Sequence, residues 1–241
     1  MARNSSTRLP EKATRKILGR ETIALLIERV KRCQSIDYLV LATSVESSDD
    51  ILEQIAKHEG IFSFRGSLEN ISLRMYEAVQ TYGADHIVRI TGDDILRDEL
   101  MIDRAIQSHL QQSCDVTFMD NMPYGTSSEV FTLNTLETIL KNAKVPANTE
   151  YLTYYLENER YFSANHVNSG YTFDPSFRLT LDYEEDFEFF MHIFERFYPR
   201  KTNFTIPEVL QWLRKHPEVV AINKFKTPKY TPNDLDVTLK Q

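Results

Sequence analysis

Three observations predict an α/β fold with a mainly parallel sheet flanked by helices. Short β-branched runs alternate with longer stretches of helical period through the first half of the chain, a pattern that builds right-handed βαβ units. The composition suits a packed core under a solvated surface: of 241 residues, 41% are hydrophobic and 26% charged, with 14 Phe, 12 Tyr and only 7 Gly. No internal repeat, low-complexity segment or Pro/Gly linker divides the chain, so residues 1–241 read as a single domain.

In chain order, the first helix carries Ile23, Leu26, Ile27 and Val30 on one face. A strand is predicted at 38–43, then a helix with Ile51, Leu52 and Ile55, and a strand at 61–64. A helix with Ile71, Met75 and Ala78 follows, then a strand at 86–90, a helix with Ile102, Ile106 and Leu110, and strands at 115–118 and 129–132. The second half changes character. It offers helices near 136–140 and 150–156, strand-like runs at 162–167 and 177–181, and a helix whose stripe of Phe187, Phe190, Phe194 and Phe197 reads as core or interface. Thr205-Ile-Pro-Glu208 has the form of a capping box with Pro in the first turn of a last long helix. A late strand is predicted at 219–222, and 224–241 is expected to be a peripheral tail, although Leu235, Val237 and Leu239 alternate as a strand would.

Charge narrows the partners. With 28 Lys and Arg against 35 Asp and Glu, the net charge of −7 disfavours general binding to nucleic acid or anionic membrane, and an anion fits only where cations gather locally. No apolar run approaches the ~18–20 residues of a membrane span and no signal-peptide pattern opens the chain, so cytoplasmic residence is expected. Cys33 and Cys114 are far apart and form no metal-like pair, and the six histidines lack ligand spacing. No Walker loop, G-x-G-x-x-G or nucleophile elbow occurs.

Four segments offer chemistry. Arg3, Arg8 and Lys12 are interleaved with Asn4, Ser5, Ser6 and Thr7. Small polar residues let backbone N–H groups converge on an anion while the cations add charge-assisted bonds; a solvated basic terminus is the equal alternative. Arg89-Ile-Thr-Gly-Asp93-Asp94 ends a predicted strand, where α/β folds bind ligands; its carboxylates suit Mg²⁺ or an Asx-type turn. Leu179-Thr-Leu-Asp182 leads into Glu184, Glu185 and Asp186, which the helix dipole alone would favour. Phe64-Arg65-Gly66-Ser67, with Arg74 beyond, reads as a strand-to-helix joint in which Gly66 allows a tight turn and Ser67 is a good cap.

Ala2, Arg3, Ser6, Arg8, Leu9, Pro10 and Lys12 occupy every fixed position of A-R-x-x-S-x-R-L-P-x-K, so the opening segment resembles the signature of the cytidylyltransferase family. That family includes enzymes that make CMP-activated acidic sugars and spore-coat polysaccharide cytidylyltransferases. The 89–93 and 179–182 segments are similar to its two metal-carboxylate motifs, and Phe64–Ser67 with Arg74 to its F-R-G-S segment. Tyr124-Gly125, Ser128-Glu-Val-Phe131 and residues 150–155 are similar to its acceptor side. The pattern departs at Glu11, Asp94-Ile-Leu96, Tyr151, Tyr154, Tyr183 and Glu184.

The resemblance implies a Rossmann-like nucleotidyltransferase (GT-A-like) fold with a small antiparallel insertion, a nucleotide-binding half at about 1–120 and an acceptor and dimerisation half at about 121–223. It implies transfer of CMP from CTP to an acidic or modified sugar with release of pyrophosphate, in surface polysaccharide or glycan synthesis. Lys12, Arg8 and Asp93 would be catalytic; Ala2, Arg3, Ser5, Ser6, Arg8, Lys12, Thr43, Ser67 and Arg74 would bind nucleotide. Asp93 and Asp182 would hold Mg²⁺, while Tyr124, Glu129, Glu150 and Tyr155 would face the acceptor, in a homodimer. Two alternatives stay open: a nucleotide-sugar-dependent glycosyltransferase clamping its metal with Asp93-Asp94, and a truncated, inert nucleotide-binding relative. A phosphate loop of this kind follows a buried strand, yet only Met1 precedes Ala2. The first strand is therefore expected to be missing upstream, leaving the core beside 38–43 open.

Overall fold

In the computed structural model, which describes residues 1–6, 8–145, 151–227 and 236–240, a loop over 2–15 leads into a hairpin of β1 (Lys16–Ile17) and β2 (Arg20–Glu21). The loop caps helix α1 (Thr22–Val30): Thr22 N donates to Arg15 O at 2.8 Å and Ile23 N to Ala13 O at 3.0 Å. These carbonyls satisfy N–H groups that a helix start leaves unpaired. β3 (Val40–Ser44), a 3₁₀ turn at Ser47–Asp49, α2 (Asp50–His58) and β4 (Phe62–Gly66) follow. Helix α3 (Ile71–Tyr82) starts at Asn70, whose side chain accepts from Leu73 N, and stops at Gly83 in the left-handed conformation, φ 65°. Next come β5 (His86–Arg89), α4 (Glu99–Gln112) capped by Asp98, β6 (Val116–Asp120), β7 (Glu129–Thr132) and α5 (Leu133–Asn142) capped by Thr132. The rest is α6 (Leu152–Leu156), β8 (Ala164–Asn168), α7 (Glu184–Phe197), α8 (Ile206–Leu213) and α9 (Pro217–Asn223).

β3 and β4 pair in parallel from Val40↔Phe62 to Ser44↔Gly66. A second sheet runs β5-β7-β6-β8, in which β6 and β8 are parallel and β7 is antiparallel to both neighbours. The expected α/β architecture with an antiparallel insertion is present. Helices α1, α2, α4, α7 and α8 pack into one apolar cluster, which takes Phe189, Phe190 and Phe194, while α3, α5 and α6 feed a second.

Three expectations need correction. Residues 219–222 lie in α9 rather than a strand; Pro217 presets the first helical turn, and a run this short has no period of its own to decide the matter. The 177–181 run is an extended connector whose β-bridge among the described residues is Arg178↔Tyr124. Leu239 is not peripheral: it is buried in the second cluster and bridges Ala143. Leu235 lies outside the described residues. The Thr205–Glu208 capping box is formed, with Thr205 N donating to Glu208 Oε2 at 2.6 Å.

The sheet is interrupted at its centre. β3 and β5 lie on either side of residues 1–2 and do not pair with each other. Met1 N donates to Ile90 O (2.8 Å), Gly92 N donates to Met1 O (2.8 Å), and Ala2 N donates to Ala42 O (3.2 Å). Gly92 permits this approach, since a Cβ there would stand 2.7 Å from Ala2 Cβ. Behind Met1 the core is open as a cavity of about 410 Å³ between β3 and β5. Among the described residues no helix is long and apolar enough to cross a membrane.

Candidate active site

The opening loop is held from below. Leu9 and Ala13 are buried in the core, and Asp49 anchors the loop's first turn by accepting from Asn4 N at 2.6 Å. Burial pushes the Asp49 carboxyl up, but the Ser44 hydroxyl and the Asn4 amide outweigh it and hold the group below the usual carboxylate range. Thr14 donates to Asn4 Oδ1 at 3.0 Å, closing the turn. Arg3, Ser5, Ser6, Arg8 and Lys12 thereby face a cleft of about 640 Å³, together with Ala2 and Arg74. Glu11 is exposed with φ 55° and turned away, so it does not oppose an anion there.

Opposite the loop stand two carboxylates, one just past the end of β5 and one at the end of the 179–182 connector. Leu181 N donates to Asp93 O at 2.9 Å, tying the 179–182 connector to the end of β5 and setting Asp93 beside Asp182. Lys12 Nζ lies between them, 2.7 Å from Asp93 Oδ2 and 3.1 Å from Asp182 Oδ1. Arg8 reaches Asp182 Oδ1 at 2.7 Å, and Arg178 reaches Oδ2 at 3.2 Å. Burial lowers the Lys12 pKa, but the two carboxylates more than reverse this and hold it above the ordinary lysine value. Burial likewise raises Asp93, and the Lys12 charge and hydrogen bond overcome it, keeping Asp93 well below the usual range.

Behind Asp182 lies a fully enclosed polar cluster. Arg178 Nε donates to Asp186 Oδ1 at 2.9 Å, Asn223 Nδ2 donates to the same oxygen at 2.9 Å, and Asp186 Oδ2 accepts from the Asp182 and Tyr183 amides at 2.9 and 3.0 Å. Every member is bonded, the condition under which buried charge fixes geometry. Asp94 neither joins the carboxylate pair nor faces solvent. It is buried against Arg97 and the Thr91 hydroxyl; burial pushes it up to about 6, against the pull of Arg97.

The far end of the cleft is formed by Tyr124, Glu129, Tyr151, Thr153 and Tyr154, with Arg89 and Arg97. Thr153 Oγ1 donates to Glu129 Oε1 at 2.6 Å and accepts from Arg89 Nη1 at 3.2 Å. Tyr151 and Tyr154 stack at 6.4 Å with planes 8° apart. Gly125, φ 91°, lets Tyr124 close on the connector, for a Cβ there would meet Leu179 O at 2.3 Å.

The structure thus gathers Ala2, Arg3, Ser5, Ser6, Arg8, Lys12, Arg74, Asp93, Asp182, Tyr124 and Glu129 around one cleft. Thr43, Ser67 and Tyr155 are not there. Thr43 is buried on β3 beneath the loop, and Ser67 Oγ accepts from Asn70 N at 3.0 Å, finishing the turn before α3. Tyr155 is buried in the second cluster, because in α6 positions 152, 155 and 156 face the core while 151 and 154 face the cleft. Glu150 lies outside the described residues. Sequence reading missed Asp49, Arg97, Arg178 and Asp186. Only Asp186 carried a signal, an acid at the third helical position, and it reads equally as dipole compensation.

A cation-lined loop at the carboxyl ends of parallel strands, facing two carboxylates bridged by a lysine, defines a Rossmann-like nucleotidyltransferase. The chain belongs to the cytidylyltransferase family, whose model matches residues 1–205. It is 33% identical over 224 residues to an uncharacterized protein of Methanocaldococcus jannaschii, spanning 92% of this chain and 91% of that one. It is 31% identical over 227 residues to the spore coat polysaccharide biosynthesis protein SpsF of Bacillus subtilis, spanning 91% and 94%. The solved structure of a cytidylyltransferase from Leptospira borgpetersenii superposes with a TM-score of 0.85 at 28% identity, covering 95% of this chain and 96% of that one.

Proposed function

We propose that the cleft binds CTP and a sugar and transfers CMP to a sugar hydroxyl, with Asp93 and Asp182 holding Mg²⁺. The observation that carries the reading is Lys12 suspended between two carboxylates, Asp93 just past β5 and Asp182 at the end of the 179–182 connector, beside Arg3, Arg8 and Arg74. The two carboxylates fit a Mg²⁺ ion, which takes one or two from protein and completes its shell with phosphate oxygens and water. That ion would supply charge neutralisation on the triphosphate.

The sugar hydroxyl oxygen attacks the α-phosphorus, the bond to the β-phosphate oxygen breaks, pyrophosphate leaves, and the hydroxyl proton passes to water. Chemistry of this kind needs position and charge more than covalent help. Arg8 and Lys12 grip the phosphates, and the loop backbone at Ser5–Ser6 with Arg3 orders the nucleotide. The acceptor is an acidic or amino-modified sugar at the Tyr124–Glu129–Tyr151 end, where Arg89 and Glu129 offer both signs of charge. The polysaccharide role in the name of the Bacillus relative supports a sugar acceptor.

The test is pyrophosphate release with each of the four nucleoside triphosphates, against acidic and aminated sugars, with Mg²⁺ or EDTA. Release is expected only with CTP, a sugar and Mg²⁺ together. Sugar transfer from a nucleotide-sugar without pyrophosphate release would overturn the reading in favour of a glycosyltransferase. Thermal stabilisation by CTP without turnover in any combination would overturn it in favour of an inert binder.

A further inference from the structure

Arg8 stands between two competing partners. Its Nη2 donates to Asp182 Oδ1 at 2.7 Å, an oxygen that Lys12 also reaches at 3.1 Å. In the proposed reaction the same guanidinium bonds a phosphate, and Asp182 turns its oxygens to Mg²⁺. A phosphate oxygen and the Asp182 carboxylate draw on the same N–H donors, so Arg8 exchanges one for the other. Asp182 therefore orders Arg8 through a bond that has to break. With 28% of its side chain exposed, Arg8 also gains too little from that bond to be fixed by it alone. A long side chain left loose in the free protein pays for its ordering when the ligand arrives, and affinity falls.

A ring supplies the missing restraint. Arg8 Cζ lies 5.4 Å from the centre of the Tyr183 ring, a cation–π distance. Attraction to a ring requires no N–H donor, so it survives whichever oxygen those donors bond. The ring is itself held in place. Tyr183 immediately precedes α7, and its amide donates to Asp186 Oδ2 at 3.0 Å. Lys226 Nζ lies 4.8 Å from the ring centre and is tied to Glu185 at 2.9 Å. Arg178 Cζ is 5.7 Å from the same centre, but Asp186 fixes that side chain independently at 2.9 Å. Of the three cations, Arg8 alone faces the cleft, and Tyr183 is not among the residues around it. Tyr183 is also one of the positions where this chain leaves the family pattern.

We infer, on the reading of Arg8 as a phosphate contact, that Tyr183 is a positioning residue whose ring holds the Arg8 guanidinium beside the cleft while its N–H groups exchange Asp182 for a phosphate. The ordering of Arg8 is then met in folding rather than in binding.

The test measures two ligands on the parent, Tyr183→Phe, Tyr183→Leu and Lys226→Gln. Calorimetry reads the affinity for inorganic triphosphate in EDTA and for CTP with Mg²⁺. Tyr183→Leu is expected to bind both about fivefold more weakly, the cost of ordering one long side chain. Tyr183→Phe keeps the ring, and Lys226→Gln removes a cation that does not face the cleft; both should stay within about twofold of the parent. In an Arg8→Ala background, Tyr183→Leu should add less than about twofold, because the ring has no cleft-facing cation left to hold. Where Tyr183→Leu fails to fold, Tyr183→Thr takes its place. Parental affinity in Tyr183→Leu, a loss in Tyr183→Phe or Lys226→Gln equal to that in Tyr183→Leu, or an undiminished loss without Arg8 would each overturn the inference. Triphosphate bound with the expected pattern but CTP not bound would keep the role of the ring and overturn the cytidylyl reading. CTP bound equally by the parent and Tyr183→Leu would do the reverse, and a parent that binds neither ligand overturns both.

Discussion

Replacing Lys12 with Met removes the ammonium that holds Asp93 and Asp182 together while keeping the length of the stem. Its nitrogen sits 2.7 and 3.1 Å from the two carboxylates, and its side chain is only 15% exposed. Removing one partner of a buried pair costs about 3–5 kcal/mol. Asp182 keeps Arg8 and Arg178, so the loss falls mainly on Asp93, whose side chain is 27% exposed and partly screened. The lower end, about 3 kcal/mol, is therefore expected, and at ~2–4 °C per kcal/mol for a domain of this size Tm falls by about 6–12 °C. Turnover suffers separately. A lost charge contact to a reacting phosphate is worth about 3 kcal/mol, which is ~100-fold or more in rate. Thermal melting of the free protein and pyrophosphate release from CTP with Mg²⁺ read the two effects independently. A variant within threefold of the parent in kcat/KM, whatever its Tm, would refute the placing of Lys12 at the phosphates.

Asp49→Ala removes the anchor of the loop's first turn without touching the cleft, so KM for the nucleotide is expected to rise about tenfold, the loss of one charge-assisted bond. Steady-state kinetics check this, and an unchanged KM would mean the loop holds its shape without Asp49. Gly125→Ala forces a Cβ onto the Leu179 carbonyl at a φ that L-residues resist; a loss of at least about 2 kcal/mol by urea unfolding is expected. His109 gives stability a pH dependence. It is buried, with Nδ1 3.0 Å from Thr117 Oγ1 and His86 edge-on at 5.2 Å; burial and the His86 charge push its pKa from 6.5 down to about 4. Folding favours the neutral ring, so its contribution is complete above pH 6.5 and disappears as pH falls toward 4. At ~1.4 kcal/mol per unit the span is about 3 kcal/mol. Urea unfolding of the parent and His109→Gln should therefore converge by about 2–3 kcal/mol between pH 7 and 4.5, and parallel curves would refute the assignment.

The first half of the fold was legible because each element announces itself locally. The strands at 38–43, 61–64 and 86–90 stand within two residues of β3, β4 and β5, and of the helical stripes between them Leu52, Ile55, Met75 and Ala78 are buried, whereas Ile51 is exposed and Ile71 half-buried. Residues 219–222 misled because Val219, Val220 and Ile222 are good strand formers and only Pro217 speaks for a helix. In the site, residues that sit at strand ends were findable, and those that act through others were not. Arg178 and Asp49 are single charges in unremarkable surroundings; their roles come from partners 4 and 45 positions away, the Asp182 carboxylate and the Asn4 amide, meeting them in three dimensions. Tyr155 failed for a smaller reason. In a helix of five residues, moving one position rotates a side chain by about 100°, which is the difference between cleft and core.

That same short helix sets what the protein can change. Its core-facing residues, Leu152, Tyr155 and Leu156, belong to the second cluster, while Leu9 and Ala13 of the opening loop belong to the first. The two ends of the cleft therefore rest on separate foundations. Substitutions at Tyr151, Thr153 or Tyr154 can reshape one wall of the cleft without disturbing the packing beneath the opening loop at the other. A scaffold divided in this way lets one end of the cleft change shape while the other keeps its geometry.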